Sequence, residues 1–485
     1  MRVLLQAFAF AGENRYYSLG ILFLRSVLLS RPETAGKVEV EVLQSDYFDD
    51  VDEVAARIRA FDPDVLGLSV AAWSWELSAR LAAAAGERGG RPFVVCGGAG
   101  LHAREREFLE ENLRVDAVVP GSGEAVLVDL VAHLLDPGKP AGDLSGVRGI
   151  LWRDGDAAVL ETPRREANFP LSEVASPYDD VPLPGGPAPE RLLLETERYC
   201  LFRCSYCDWA GRGVPRGDLS FPVETVRREI LRAAERGFSE VHFYDAALNQ
   251  DSARFSAILD AVEETPDRGQ FYFFFLRHEL VDRAQAERLM RFTRPALVSF
   301  GIESLSPRAL RGAGRPDRTD RLELLLRTLA RNERFKVMGA LVLGLPGEDL
   351  GSFVAGAERL LAIPRLQVLV SLLSVAPGTA LRAEAASHGL AWRPRGVPFL
   401  TSSNDLPAQD LERAFEWING RLGSNRIALT PLAVPLSRLS NPEILPAGLR
   451  ASLGPADRVL VGVRGIENGW VEGTGVHLPG SAWIV

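Results

Sequence analysis

The chain has 485 residues, which leaves room for about three domains at roughly 150 residues each and excludes a single small module. Hydrophobic residues make up 46% and charged residues 25%, the proportions of a packed globular protein, so wholesale disorder is excluded. Fifty-five Lys and Arg against 64 Asp and Glu give a formal charge of -9, the wrong sign for a chain that lives on phosphate backbones, and nucleic acid is not an expected partner.

Residues Met1 to Ala11 have the outline of a signal peptide, but Gln6 interrupts the short apolar run and the segment reads as a buried first strand. No other apolar run approaches the roughly 18 to 20 uninterrupted residues of a membrane span, so the expectation is a cytoplasmic protein without a membrane partner. Val3–Phe10, Val38–Leu43, Val65–Val70, Phe93–Cys96 and Ala117–Val119 read as strands. Between them, Tyr17–Leu29, Val51–Ala60, Leu77–Arg88 and Ala125–Leu135 carry apolar residues at helical spacing. This alternation predicts an α/β domain over residues 1–140 with a parallel, doubly wound sheet, whose ligand crevice lies at the carboxyl ends of its strands. Three tips there draw notice: Ser69 to Trp75, with Trp73 and Trp75 two apart at a strand end; Cys96 to Gly100; and Gly121 to Glu124. None fits G-x-G-x-x-G after the first strand, which disfavours a dinucleotide. The glycines at these tips are expected to let backbone approach a large flat ligand.

Residues 141–190 are rich in Pro, Gly and Asp, ending in Pro182 to Pro187, and read as a linker or strap. A second alternation follows over residues 191–380. Its strands are Arg191–Glu195, Glu240–Tyr244, Phe271–Phe275, Leu297–Ile302, Val337–Leu343 and Leu366–Leu373; its helices are Val223–Arg236, Ala253–Glu264, Arg283–Phe292, Thr319–Arg331 and Leu350–Ala362. Six strands with intervening helices predict a (β/α)6 partial barrel with chemistry at its carboxyl mouth. Lys336 then falls at the opposite end, and Phe271 to Phe275 is expected to fill core on both faces. Residues 381–485 form a small C-terminal α/β extension with one clear helix, Gln409–Leu422, and a terminal hairpin.

Cys200, Cys204 and Cys207 are spaced C-x3-C-x2-C in the loop after the first barrel strand. Three thiolates can hold a four-iron cubane and leave one iron free for an external chelating ligand. A zinc site is the rival, but it wants four ligands, and only Asp208 is adjacent, with His242 in possible reach. Cys96 belongs to the other domain and reads as a small buried hydrophobe.

On this motif the sequence resembles the radical S-adenosylmethionine (radical SAM) superfamily. The resemblance implies a 4Fe-4S cluster chelated by SAM, with Tyr206 against adenine, Tyr244-Asp245-Ala246 at the methionine amino group, and Glu303 and Ser304 at the ribose and amino acid. Gly344 lies in the loop that closes the fifth strand. Tyr199 departs from the glycine that many relatives carry before the first cysteine. The N-terminal domain resembles the cobalamin-binding module that precedes the barrel in one branch of the superfamily. That resemblance points to Ser69, Trp73, Gly97, Gly98, Gly121 and Glu124 as corrin contacts; by position alone, Trp75 at its strand end and His278 after the third barrel strand near the mouth are the candidate substrate contacts. No Asp-x-His-x-x-Gly is present, which leaves either a base-off cobalamin, the favoured reading, or a pocket that kept the fold and lost the cofactor.

The function this implies is reductive cleavage of SAM to a 5′-deoxyadenosyl radical, supplied with electrons by a flavodoxin, ferredoxin or reductase. Hydrogen abstraction from a natural-product or antibiotic-type small molecule follows, with cobalamin-dependent C-methylation as the favoured outcome. Radical dehydration of a sugar or aminoglycoside diol, a lyase reaction, and tRNA modification are the alternatives. A non-catalytic iron-sulfur carrier or zinc scaffold would leave the barrel-mouth motifs unexplained.

Overall fold

The structure is a computed structural model that describes residues 1–9, 18–46, 49–85, 92–140, 142–154, 158–165, 168–179, 191–209, 219–393, 397–422, 427–429, 432–435 and 458–461. Phe10, Tyr17, Pro182 to Pro187 and most of the terminal hairpin region lie outside these residues. The chain divides into two compact units, the first of residues 1–189 with 214–219 and the second of residues 190–213 with 220–485.

In the first unit the elements run β1 (Arg2–Ala9), α1 (Leu19–Ser30), β2 (Glu39–Asp46), α2 (Val51–Phe61), β3 (Val65–Ser69), α3 (Trp75–Ala85), β4 (Phe93–Gly97), α4 (Glu105–Glu111), β5 (Ala117–Val119), α5 (Glu124–Leu135), β6 (Leu151–Arg153) and β7 (Val159–Glu161). They build one seven-stranded sheet in the order β2-β1-β3-β4-β5-β6-β7. The first five strands are parallel and the last two antiparallel. The apolar run of β1 is explained by burial on both faces, as a central parallel strand requires. The chain order reverses between β1 and β3, the switch point at which such sheets open a crevice. The strap differs from expectation: β6 and β7 lie inside residues 141–190 and extend the first sheet. Cys96 sits fully buried in the core beneath α2, α3 and α4, where burial pushes its thiol well up.

The second unit runs β8 (Arg191–Leu194), α6 (Val223–Glu235), β9 (Glu240–Phe243), α7 (Ser252–Glu264), β10 (Phe271–Leu276), α8 (Arg283–Arg291), β11 (Ala296–Glu303), α9 (Pro307–Gly312), α10 (Thr319–Leu329), β12 (Phe335–Leu343), α11 (Leu350–Leu361) and β13 (Leu366–Leu372). There follow α12 (Ala380–Ala383), β14 (Ala391–Trp392), β15 (Leu400–Ser402), α13 (Ala408–Leu422), β16 (Ile427–Leu429), β17 (Leu432–Pro435) and β18 (Arg458–Val461). Carboxylates start the crossover helices. Asp251 accepts from the Arg254 amide at α7, Asp282 from Gln285 at α8, and Asp349 closes a capping box with Ser352 at α11.

The six expected barrel strands form one parallel sheet, β8-β9-β10-β11-β12-β13, and a seventh, β16 from the C-terminal extension, pairs with β13 at Val368 to Val370. Alternation sorts the faces: Phe335, Val337, Leu341 and Leu343 of β12 are buried, while Lys336, Met338, Ala340 and Val342 between them are half-buried. The aromatic strand β10 fills core on both faces, with Phe273 buried on the side opposite Tyr272 and Phe274, and opens only toward its carboxyl end. Tyr272 and Phe274 are buried, but Phe275 is 37% exposed. At the amino end of the sheet, Arg191 meets Glu240 at 2.8 Å, His242 Nε2 lies 2.9 Å from the same carboxylate, and Lys336 sits over the Phe271 ring. Burial alone would raise the Glu240 pKa, yet His242 and Arg191 hold it at about 2. His242 also stacks on Phe273 at 4.9 Å, so it is a structural histidine. Among the described residues no helix is long and apolar enough to cross a membrane.

Candidate functional site

The cysteine loop leaves β8 at its carboxyl end and is anchored by the barrel. The Thr196 and Glu197 amides donate to Asp245 Oδ1 at 2.8 and 2.7 Å, just past β9, and the Leu201 amide donates to Gln250 Oε1 at 2.7 Å. The Ser205 amide donates to Ala313 O at 3.0 Å, its hydroxyl to Gly312 O at 3.0 Å, and its carbonyl accepts from Leu381 N at 2.8 Å. Cys204 is buried; Cys200 and Cys207 are half-buried, and none is in a disulfide. Burial pushes Cys200 up and Cys207 up to about 11. Among the described residues no three His, Cys, Asp or Glu side chains are gathered closely enough to hold a single metal ion.

A ring of buried charges starts and ends in this loop. Arg277, just past β10, places Nη1 3.6 Å from Cys204 Sγ and Nη2 2.7 Å from Glu279 Oε1. Arg315 meets the same Glu279 oxygen at 2.7 Å, Glu303 Oε1 at 3.0 Å and Gly301 O at 2.7 Å. The Tyr206 hydroxyl then hydrogen-bonds Glu303. Burial raises the Glu303 carboxyl pKa against the pull of Arg315 and Tyr206. Glu279 is also buried, but Arg315 and Arg277 hold it below the usual carboxylate range.

Glu303 is aimed by its backbone. It ends β11 at φ 67°, where a β-bulge against β12 lies between Gly301 and Glu303. A side chain at Gly301 would bring Cβ within 2.6 Å of Glu303 Oε1, so glycine there makes room for the carboxylate to fold back. A positive φ outside glycine is strained and is found where structure over-determines it.

Other predicted SAM positions are placed differently. Asp245 is buried, its Oδ1 taken by the two loop amides and its pKa pushed up by burial to about 8, while Oδ2 has no partner. It holds the cysteine loop in place, and Tyr244 beside it is exposed, with Ala246 half-buried. Ser304 is buried with its hydroxyl on Glu348 Oε1 and the Ser306 amide on its oxygen at 2.9 Å, so it ties two strand ends together. Gly344 has φ 99°, and a Cβ there would strike Leu400 Cδ2 at 2.4 Å, a packing reason for glycine. His278 is buried 3.7 Å from Glu279, and burial lowers its pKa to about 4, which makes it a neutral neighbour of the charge ring.

In the first unit, Ser69, Gly97 and Val119 pair across the carboxyl ends of β3, β4 and β5. Gly97 and Gly121 leave open backbone: a Cβ at Gly97 would meet nothing closer than Val119 O at 3.7 Å, and one at Gly121 nothing within 4 Å. Gly98 is different. Its Cβ would lie 2.5 Å from Val70 O, so it is glycine because β3 passes there. Gly98→Ala, at φ 124°, is expected to destabilise this unit by about 1–3 kcal/mol through overpacking alone, read as a lower urea midpoint of the full-length chain. Glu124 is buried at the start of α5, where Oε2 accepts from Asn168 Nδ2 at 2.7 Å. Trp73 lies in the turn after β3 and packs on the core. Trp75 opens α3, with its ring edge-on to Phe108 at 4.6 Å and Arg104 over it at 4.1 Å. The two tryptophans are therefore not strand neighbours on one face, and Trp75 is committed to core packing.

Sequence reasoning missed Arg277, Glu279 and Arg315. The available signal was charge directly after an apolar strand, in Phe271 to Leu276 followed by Arg277-His278-Glu279.

These features match known families. The profile of the B12 binding domain matches residues 16–131 and that of the radical SAM superfamily residues 194–360. The chain is 31% identical over 205 residues to a 2-(S-pantetheinyl)-carbapenam-3-carboxylate methyltransferase of Streptantibioticus cattleyicolor, covering 41% of this chain and 29% of that protein. It is 30% identical over 192 residues to the cobalamin-dependent radical SAM methyltransferase TokK of Streptomyces tokunonensis, covering 38% of this chain and 28% of that one. These alignments thus span under a third of either relative. The fold is similar to that of the radical S-adenosylmethionine methyltransferase TsrM of Kitasatospora setae, solved with tryptophan and a SAM analog. There the TM-score is 0.67 at 19% identity, covering 88% of this chain and 91% of that one. With its three-cysteine loop at the mouth of a partial barrel and an open-backed parallel sheet before it, the chain belongs to the radical SAM superfamily and carries an N-terminal B12-binding domain.

Proposed function

We propose that the protein is a cobalamin-dependent radical SAM methyltransferase that acts on a carbon of a small, largely apolar molecule. The observation that carries the reading is the cysteine loop: three thiols docked at the carboxyl end of β8, one of them buried against an arginine N–H, a donor set that suits an iron-sulfur cluster. For cobalamin, the fitting feature is the row of side-chain-free backbone at Gly97 and Gly121 on neighbouring strand ends. When bound, the reduced cluster supplies the electron that splits SAM, and cobalamin carries the methyl group.

The chain's own residues bind and shield. Cys200, Cys204 and Cys207 would hold the cluster, and Tyr206 with Glu303 would orient SAM. The strained backbone of Glu303 and its bond to Arg315 keep that carboxylate from relaxing when a ligand arrives. Tyr244 and Trp209, 49% and 47% exposed with ring centroids 6.1 Å apart, stand with Phe275 beside the mouth. Such an aromatic wall would hold an apolar substrate and displace the water that would otherwise surround a reactive carbon. The relatives' carbapenam and tryptophan substrates are likewise small molecules.

The test uses full-length protein, reconstituted anaerobically with iron and sulfide and reduced with dithionite in the presence of SAM. The expected result is 5′-deoxyadenosine with or without cobalamin, and S-adenosylhomocysteine, which reports methyl loss from SAM, only after loading with hydroxocobalamin. S-adenosylhomocysteine at equal rates without cobalamin would overturn the methyltransferase reading. Absence of 5′-deoxyadenosine from cluster-replete protein would overturn the radical reading.

A further inference from the structure

Arg277 is held more firmly than an ion pair alone requires. Its amide donates to Asn249 Oδ1 at 2.9 Å, and its carbonyl accepts from Asn249 Nδ2 at 3.0 Å, while the same Nδ2 donates to Gln285 Oε1 at 3.1 Å. The side chain takes Glu279 in two contacts, Nη2 to Oε1 at 2.7 Å and Nε to Oε2 at 3.4 Å, and its guanidinium lies over the Phe202 ring at 3.5 Å. Phe202 itself stands between Cys200 and Cys204. With backbone, carboxylate and ring all fixed, the remaining Nη1 points at Cys204 Sγ, 3.6 Å away. Arg277 and Cys204 are both buried, so this contact is shielded from water. Because Arg315 also reaches Glu279, that carboxylate has a second cation, and the Arg277 N–H toward sulfur is not a by-product of neutralising it.

We propose that Arg277 sets the reduction potential of the cluster held by Cys200, Cys204 and Cys207, an inference that rests on the cluster reading above. An N–H donated to a ligating sulfur withdraws electron density, and a nearby positive charge favours the more negative, reduced cluster, so both effects raise the midpoint potential. The step is a one-electron reduction, with the electron taken from an external donor such as dithionite and no bond broken in the protein. Arg277 acts through a ligand and is a positioning residue. Asn249, Glu279 and Phe202 hold it, and its planar fork is what lets one side chain serve carboxylate and sulfur together.

The experiment compares full-length wild type with Arg277→Gln and Arg277→Lys, each reconstituted anaerobically, assayed for iron and sulfide, and titrated with dithionite under EPR observation without SAM. Arg277→Gln is expected to keep its cluster but lose about tenfold or more in the one-electron reduction constant, a midpoint lower by about 59 mV or more. Arg277→Lys keeps the charge without the fork and is expected to fall between. Equal midpoints in all three cluster-replete proteins would overturn the inference while leaving the cluster reading intact. A wild type that holds no cluster would defeat the cluster reading itself. Should both variants lose the cluster, pulsed EPR of reduced wild type grown with isotopically labelled arginine decides: an arginine nitrogen coupled to the cluster is expected, and its absence overturns the inference.

Discussion

Cys204→Ala is expected to leave the full-length protein without its 4Fe-4S cluster and without detectable 5′-deoxyadenosine, and Cys200→Ala and Cys207→Ala to do the same. The three thiols are the whole cysteine complement of the loop, and the fourth cysteine of the chain, Cys96, is fully buried in the core of the other unit. Losing one thiolate leaves two ligands for a cubane that needs three from the protein. Cys204 carries the further consequence that its sulfur is the acceptor for Arg277, so its removal leaves a buried guanidinium hydrogen short of a partner. Cys96→Ala is the control and is expected to retain full iron and sulfide, because its thiol fills space in the core of the other unit beneath α2, α3 and α4. Iron and sulfide analysis with EPR of the reduced protein reads all four variants; an intact cluster in Cys204→Ala would remove the assignment.

Arg315→Met is expected to destabilise the barrel by about 3–5 kcal/mol, the usual cost of breaking a buried ion pair from one side. Arg315 is 4% exposed and serves Glu279, Glu303 and the Gly301 carbonyl at once, so no water stands ready to replace it. The variant would leave Glu303 buried without a cation, while Glu279 keeps its two contacts to Arg277. The Glu303 carboxyl, already raised by burial, would lose the opposing pull of Arg315 and rise further, so the penalty is full at high pH and shrinks as pH falls through its folded pKa. Urea unfolding of the full-length chain at several pH values measures this. Arg315→Met combined with Glu303→Gln removes the stranded charge and is expected to recover part of the loss; purely additive effects would show that the two residues do not interact.

The motif that was legible in the sequence is the one whose parts are neighbours in it. Cys200 to Cys207 lie within one loop, and a ligand triad at fixed spacing needs no tertiary information to be seen. Strand and helix positions were readable for the same reason, because burial on a sheet and under a helix writes a local period. What escaped depends on partners far along the chain. Arg277 finds its acceptor 73 residues earlier, and Gly98 is glycine because of Val70 just past the adjacent strand, although a glycine at a strand tip reads equally as space for a ligand. The seventh barrel strand, Ile427–Leu429, is too short to carry a pattern, and its pairing is decided by the unpaired edge that β13 presents.

The anchoring of the cysteine loop bears on how the protein matures. Gln250, Asp245, Ala313, Gly312 and Leu381 secure it through protein hydrogen bonds, and the ring through Arg277, Glu279, Arg315 and Glu303 returns to it at Tyr206. The conformational entropy of this loop is therefore spent when the barrel folds, not when iron arrives. A zinc finger shows the opposite order, since there the metal does the folding. Here the assembly machinery would meet a finished receptacle, and cluster insertion becomes a docking event on a folded surface.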